Sequence, residues 1–145
     1  MVEVTVELRN IEGTEAALGW AGANTIVVDR PEGRAGGLGL GLNGAQLLAL
    51  TIGGCFCNDL RYVAHANGIE LGRISVSVTV QLAGDPIVAT SAVMAVTCET
   101  IDGSSADAVV EQAKASCMAI NSLPHGVPVE VRTTAAGIEQ VLPRT

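Results

Sequence analysis

Residues 43–68, NGAQLLALTIGGCFCNDLRYVAHANG, form the longest apolar segment of this 145-residue chain. Asn43 and Gln46 have the spacing of a reciprocal capping box, and Asn67-Gly68 is typical of a helix end. The segment predicts a buried central helix of about six turns, at 3.6 residues per turn. Its apolar side chains surround much of the helix: Leu47, Leu48, Ile52, Cys55, Leu60 and Val63.

Two adjacent glycines, Gly53 and Gly54, lie inside this helix just before Cys55. Each glycine costs a helix interior about 1 kcal/mol relative to alanine. We therefore expect another part of the molecule to approach the helix backbone closely at this point.

Alternating apolar and polar residues predict five strands around the helix. Three short strands precede it, at residues 2–8, 16–20 and 25–29. A loop rich in Pro and Gly then leads into the helix. Two long alternating runs follow the helix, and we expect them to form an antiparallel hairpin across the turn at Ala83-Gly84-Asp85-Pro86. They occupy residues 74–82 and 87–101.

A second helix is predicted after this hairpin, with Ser104 or Ser105 as its N-cap and an end before Pro124. Valines at alternate positions predict a final strand at residues 127–133. The element order is therefore βββ-α-ββ-α-β, an α+β fold with a largely antiparallel sheet. No repeat or polar linker divides the chain, so we expect a single domain over residues 1–145.

Composition excludes several classes of partner. The net charge is −7, with a single lysine, which disfavours binding to nucleic acid or to an anionic membrane. The first residues show no basic-then-apolar leader, and polar residues interrupt the central helix, so we expect a cytoplasmic protein. In that compartment the four cysteines are expected to be reduced thiols.

Residues 39–44 match G-x-G-x-x-G and open a helix, which raises the possibility of a dinucleotide site. In such sites the first glycine directly follows a strand, whereas here about nine loop residues separate Asp29 from Gly39. We therefore interpret the segment as a glycine-rich entry loop and expect no bound cofactor.

Cys55 and Cys117 form the stronger candidate pair, since each lies on the predicted inner face of its own helix. If the two helices pack together, the thiols meet. One thiolate then attacks a peroxide O–O bond, and the other resolves the resulting sulfenic acid. The alternative is that both are inert, because free cysteine is among the most buried residue types.

The two other cysteines fit this pair poorly. Cys57 points nearly opposite to Cys55 on a helix, and Cys98 lies within a strand. No C-x-x-C or H-x-x-x-H spacing is present, so we expect no metal site. His65 and His125 are interpreted as surface or helix-end residues.

Three segments resemble the OsmC/Ohr family: NGAQLLALTIGGCF, GIELGRISVSV, and AKASCMAINSL followed by VPVEV. The resemblance extends over residues 2–132. It implies a thiol-dependent peroxidase that reduces organic hydroperoxides with a dithiol reductant, and a role in oxidative stress. It also implies an intertwined homodimer with two sites at the subunit interface, in which Cys55 is peroxidatic and Cys117 resolving.

The sequence departs from the family pattern near both cysteines. Active members commonly read N-P-E-[EQ]-L-L before the first cysteine, and the Glu holds an Arg near the thiolate; here Ala45 takes the Glu position. No residue matches the family Arg, and Met118 replaces the usual Pro after the second cysteine. A buried thiol without a cation has a raised pKa. Arg30 or Arg34 is the hypothetical substitute for the missing cation.

Two functions therefore follow from the resemblance. The first is hydroperoxide reduction through Cys55 and Cys117. The second, favoured by Ala45, is binding of a small apolar ligand at the dimer interface without peroxide turnover. In either case we expect Cys55 to be more than about 90 % buried in the dimer, because a helix that is apolar all round must be covered on every side.

Overall fold

The computed structural model describes residues 1–133 and has the predicted α+β architecture. An antiparallel sheet of three short strands comes first, and a long antiparallel hairpin forms a second sheet. The strands are β1 (Glu7–Asn10), β2 (Ala17–Ala21), β3 (Asn24–Val28), β4 (Leu71–Ala83) and β5 (Val88–Thr100).

Three helices pack with these sheets. Helix α1 (Gly44–Ala66) lies between the two sheets in sequence, and α2 (Asp107–Ser116) and α3 (Met118–Ser122) follow the hairpin. A short 3₁₀ turn, Leu123–His125, comes last. Within residues 1–133, none of the helices has the length and apolar character needed to cross a membrane.

The predicted central helix is confirmed, including its cap. The backbone N–H of Gln46 donates to Asn43 Oδ1 at 2.9 Å, and the N–H of Asn43 donates to Gln46 Oε1 at 3.0 Å. Two of the four free N–H groups at the helix start are thereby paired. At the other end Gly68 takes a φ of 65°, which ends the helix at little steric cost.

The core lies where α1 meets the hairpin and α2. Gly53 explains how closely α1 approaches the hairpin, since a Cβ there would lie 2.9 Å from Val78 Cγ2. The close approach predicted from the glycine pair is thus found at Gly53, whereas a Cβ on Gly54 would meet nothing within 4 Å. The buried residues at this junction include Phe56, Leu60, Ala64, Cys98, Val109, Ala113, Cys117 and Ala119.

The first and the last of the predicted strands differ from expectation. Residues 2–6 are not in a strand, so β1 begins only at Glu7, and residues 127–133 form no strand either. Val2, Val129 and Val131 are each more than 80 % exposed. Alternation gives a segment one apolar face, but a strand forms only where a neighbouring edge accepts its hydrogen bonds. Neither segment has such an edge among residues 1–133.

The second helix also begins and ends differently from the prediction. Its N-cap is Ala106, without a side-chain cap, because Ser104 is instead held by Asp102 in a tight turn. The predicted helix is interrupted at Cys117, whose ψ of 119° is extended. The Asn121 side chain donates to the carbonyl of Ala115 at 3.0 Å and pairs one group that the interruption leaves free.

Candidate active site

The fold brings together the two cysteines that the sequence singled out. Cys55 lies in α1 and Cys117 in the break between α2 and α3, 62 positions apart in sequence, yet their Sγ atoms are 3.6 Å apart. Cys117 is fully buried, whereas Cys55 is half-buried in the single chain. The pair therefore has one sulfur in the core and one nearer to the surface.

A carboxylate completes this arrangement. Asp59 lies one helical turn after Cys55, and the Cys55 thiol donates to Asp59 Oδ2 at 3.6 Å. A ligand atom from each of the three side chains lies within 4.8 Å of the other two. We call Cys55, Asp59 and Cys117 the thiol cluster. No motif in the sequence singles out Asp59, although its four-residue spacing from Cys55 places both on one helix face.

The cluster disfavours a negative charge on its inner sulfur. The pKa of the Cys117 thiol is raised to about 11; burial is the largest cause, the N–H of Ile120 acts in the opposite direction, and Asp59 and Cys55 act in the same direction as burial. Within residues 1–133, no Arg, Lys or His hydrogen-bonds or ion-pairs with the cluster. Cys117 is therefore almost entirely protonated at neutral pH.

The arginines proposed as substitutes have other surroundings. The Arg30 guanidinium donates to the carbonyl of Glu15 at 2.7 Å and to Asp29 Oδ1 at 3.3 Å, and Arg34 is exposed. Gln46, beside the family Glu position at Ala45, uses its side chain in the helix cap. Neither Arg30 nor Gln46 therefore hydrogen-bonds with the thiol cluster.

The remaining cysteines and histidines lie outside the cluster. Cys57 is half-buried on α1, and Cys98 is buried in β5, where burial raises the pKa of its thiol. His65 at the end of α1 and His125 in the 3₁₀ turn are exposed, as predicted. The cluster thus contains two of the four cysteines and neither histidine.

The glycine-rich loop, which we call the Asp29 loop (residues 29–42), has a structural role. Asp29 Oδ2 accepts hydrogen bonds from the backbone N–H groups of Leu38 at 3.1 Å and Leu40 at 3.0 Å. A Cβ on Gly41 would lie 2.1 Å from the Val27 carbonyl oxygen, so this glycine permits close contact with β3. Leu40 lies within the G-x-G-x-x-G segment and Leu38 directly precedes it. Their N–H groups thus bind the carboxylate of Asp29.

A largely apolar cavity of about 740 Å³ lies between α1, the hairpin and the helices that follow it, and among the described residues its lining includes no member of the thiol cluster. Phe56, the neighbour of Cys55, and Ile120, three residues after Cys117, both line it. Lys114 and Glu111 also contribute to its wall and form an ion pair at 3.4 Å. The apolar lining includes Leu48, Ile52, Met94, Val96 and Val110.

The α+β fold thus places a free cysteine of its central helix against a second free cysteine that follows the hairpin. The model of the family described as OsmC-like protein matches residues 36–132. The chain belongs to the OsmC-like family, which confirms the resemblance seen in the sequence.

Solved structures show the same fold at low sequence identity. An OsmC-like protein of Vibrio cholerae has a TM-score of 0.71 at 12 % identity, covering 85 % of this chain and 94 % of its own. The organic hydroperoxide resistance protein OsmC of Legionella pneumophila gives 0.58 at 22 %, covering 83 % and 88 %. The organic hydroperoxide resistance protein OhrB of Bacillus subtilis gives 0.55 at 21 %, covering 83 % and 89 %. No curated protein matches the chain.

Proposed function

We propose that this protein is a thiol-dependent peroxidase that reduces organic hydroperoxides, with Cys55 as the peroxidatic and Cys117 as the resolving cysteine. The observation that carries the proposal is the 3.6 Å separation of the two sulfurs, contributed by elements far apart in sequence. Formation of a disulfide requires only that the sulfurs close from this separation to about 2.05 Å.

The chemistry balances with one external reductant. The Cys55 thiolate attacks the terminal oxygen of ROOH, the O–O bond breaks, and ROH leaves with a proton while Cys55 becomes a sulfenic acid. Cys117 then attacks the Cys55 sulfur and water leaves, which forms the disulfide. A dithiol reduces that disulfide through a mixed disulfide, regenerates both thiols and is itself oxidised to a disulfide.

The different exposures of the two sulfurs support these roles. In the single chain Cys55 is half-buried, whereas Cys117 is fully buried and has a raised pKa, which favours Cys55 as the thiol that reacts first. The apolar cavity, whose lining includes Phe56 next to Cys55 in sequence, offers a site for an alkyl or aryl group. These features favour an organic hydroperoxide over hydrogen peroxide as the substrate.

A homodimer is part of the proposal. Val2 and Val4, near the N-terminus, and Val129 and Val131, near residue 133, are all strongly exposed in alternating segments without a partner strand. A second copy of the chain would supply partners for them, and would cover the open face of α1 at Gly54. We also propose a cytoplasmic location, where a dithiol reductant is present, and one domain over residues 1–145.

The test is the rate of Cys55 oxidation by cumene hydroperoxide, compared with hydrogen peroxide, in the wild type and in Cys117→Ser. We expect faster oxidation by cumene hydroperoxide in both proteins, with a sulfenic acid that accumulates only in Cys117→Ser. Oxidation no faster than that of an ordinary buried thiol would contradict peroxidase function. An Arg30→Gln/Arg34→Gln variant tests the hypothesis that the loop supplies a cation, which predicts loss of turnover.

The second candidate function is binding of a small apolar ligand without peroxide turnover. The cavity of about 740 Å³ favours it, together with Ala45 at the family Glu position and Asp59 beside the thiols. Such a ligand would raise the Tm of the wild type and of Cys55→Ser equally, because binding to the folded state alone stabilises it. A Tm shift that disappears in Cys55→Ser would contradict this candidate.

A further inference from the structure

We propose that the thiol cluster binds one divalent ion of borderline softness, of which Zn²⁺ is the representative, through Cys55 Sγ, Cys117 Sγ and a carboxylate oxygen of Asp59. The sequence predicted no metal site, because it offers neither C-x-x-C nor H-x-x-x-H spacing. The fold creates the site instead from an i,i+4 pair on α1 and a cysteine from beyond the hairpin.

The two ligand separations that involve Cys55 match those around tetrahedral zinc, and the Cys117 sulfur lies within 4.8 Å of the Asp59 carboxylate. With Zn–S distances of about 2.3 Å and Zn–O of about 2.0–2.2 Å, adjacent ligands lie about 3.8 Å apart for S···S and about 3.6 Å apart for S···O. The observed Cys55–Cys117 Sγ separation is 3.6 Å, and that from Cys55 Sγ to Asp59 Oδ2 is 3.6 Å. Binding therefore needs little movement of these atoms.

The chemistry of the three groups selects the ion. Two thiolates favour zinc and similar ions over Mg²⁺ or Ca²⁺, which prefer oxygen ligands. Within residues 1–133, the Asp59 carboxylate has no Arg, Lys, His or backbone N–H partner, and it lies against two thiols. A divalent cation would compensate the negative charges that these three groups carry when they ionise together.

Three protein ligands leave the fourth tetrahedral position open. Structural zinc sites normally supply four protein ligands, and sites with three hold a water or another small ligand as well. Cys55 and Asp59 are half-buried in the single chain, so that position lies on the outer side of the cluster, while Cys117 anchors the ion from the core. We therefore infer an exchangeable ion rather than one required for folding.

The consequence for the proposed function, on which this step rests, is regulation of the same two thiols. A disulfide consumes both sulfur ligands, so the oxidised protein and the metal-bound protein exclude each other. An ion held by Cys55 also occupies the sulfur lone pair that would attack the O–O bond. Zinc would therefore protect the reduced protein from hydroperoxide until the ion is removed.

The first experiment measures metal binding without any peroxide. The reduced full-length protein is titrated with Co²⁺, and the thiolate-to-cobalt absorption is followed; bound Co²⁺ is then displaced with Zn²⁺ in competition with a chelator of known affinity. We expect one ion per chain with the spectrum of tetrahedral cobalt bound to two thiolates. Cobalt that remains octahedral, with no thiolate absorption, would overturn the proposal; this readout requires no variant.

Variants then identify the ligands. Asp59→Ala and Cys117→Ser should each weaken zinc binding at least about 100-fold, since even loss of groups behind the ligands costs 10–100-fold. Cys57→Ser is the matched control, because it removes a half-buried thiol from the same helix outside the cluster, and it should bind zinc like the wild type. Equal affinity in Asp59→Ala and wild type, or loss of binding in Cys57→Ser, would place the ion elsewhere.

A final arm separates the two proposals. Saturating Zn²⁺ should slow Cys55 oxidation by cumene hydroperoxide at least about 10-fold, and the chelator should restore the rate. If zinc binds but Cys55 oxidation is slow both with and without zinc, the metal site is supported and the peroxidase function is contradicted. If Cys55 oxidation is fast and saturating zinc does not slow it, the peroxidase function is supported and regulation by zinc is contradicted.

Discussion

Asp29 and Asp59 are both carboxylates that the fold takes partly or wholly out of water, and they differ in their partners. Asp29 accepts hydrogen bonds from the N–H groups of Leu38, Leu40 and Arg30, and those bonds, Leu40 foremost, lower the pKa of its carboxyl group. Asp59 contacts two thiols instead. A carboxylate bound by several N–H groups stabilises a loop, whereas the carboxylate beside the two sulfurs lies where it can act on their ionisation.

The largest expected effect belongs to the cluster. Cys55→Ser should reduce hydroperoxide consumption at least about 1,000-fold, because an alcohol is a far weaker nucleophile than a thiolate towards O–O bonds. Turnover with cumene hydroperoxide and a dithiol measures this. Cys57→Ser serves as the control and should retain the wild-type rate; a similar loss in both variants would mean that Cys57 takes part in the reaction.

Asp29→Asn should act on stability instead. An amide cannot accept the same charge-assisted bonds from the Asp29 loop, so we expect the Tm to fall by about 10 °C. The rate of Cys55 oxidation per folded molecule should stay unchanged at a temperature well below that Tm. A variant with normal Tm but slower oxidation would reverse the roles assigned to the two carboxylates.

Asp59→Asn should change the chemistry of the thiols and leave the Tm nearly unchanged, which is the opposite of Asp29→Asn. The measurement is made with a chelator present. Removing the charge takes away one of the influences that raise the pKa of Cys117, so more thiolate forms and the sulfenic acid on Cys55 should convert to disulfide several-fold faster. The Tm should change by only a few degrees. Slower conversion would show that Asp59 assists the thiols, for example as a proton acceptor.

The smallest effect concerns a third carboxylate, Asp102, which is exposed but hydrogen-bonded. Bonds from Thr100 and Ser104 lower the pKa of Asp102 to about 2. A lowered carboxyl pKa stabilises the turn above about pH 4 and ceases to do so as the pH falls through about 2. The protection of the Ser104 amide, relative to its intrinsic exchange rate at each pH, should therefore fall between pH 4 and 2 in the wild type, and should show no such dependence in Asp102→Asn.

The sequence predicted those features that depend on near neighbours. The capping box of α1 joins Asn43 to a residue three positions away, and the hairpin joins adjacent runs, so both were visible as patterns. The contact between Cys55 and Cys117 spans 62 positions. The helical pattern placed both residues on predicted inner faces, and the resemblance to the family indicated the same pair. The role of Asp59 stayed hidden because it depends on that same distant contact.

Two segments show where prediction of strands from the sequence failed. Residues 2–6 and 127–133 alternate as strands do, yet alternation specifies a face and not a partner. The break at Cys117 was equally unpredictable, since the residues around it continue the helical pattern of α2. Each of these features depends on what the segment packs against and not on its own residues.

The complete burial of Cys117 has a consequence for how the oxidised protein would be recycled. An incoming thiolate can reach only the Cys55 sulfur of a Cys55–Cys117 disulfide, so Cys117 must depart as the leaving group. A thiol with a pKa of about 11 leaves slowly. Hydroperoxide and reductant would therefore react one after the other at Cys55 Sγ, and reduction of the disulfide would be the slow step of the cycle.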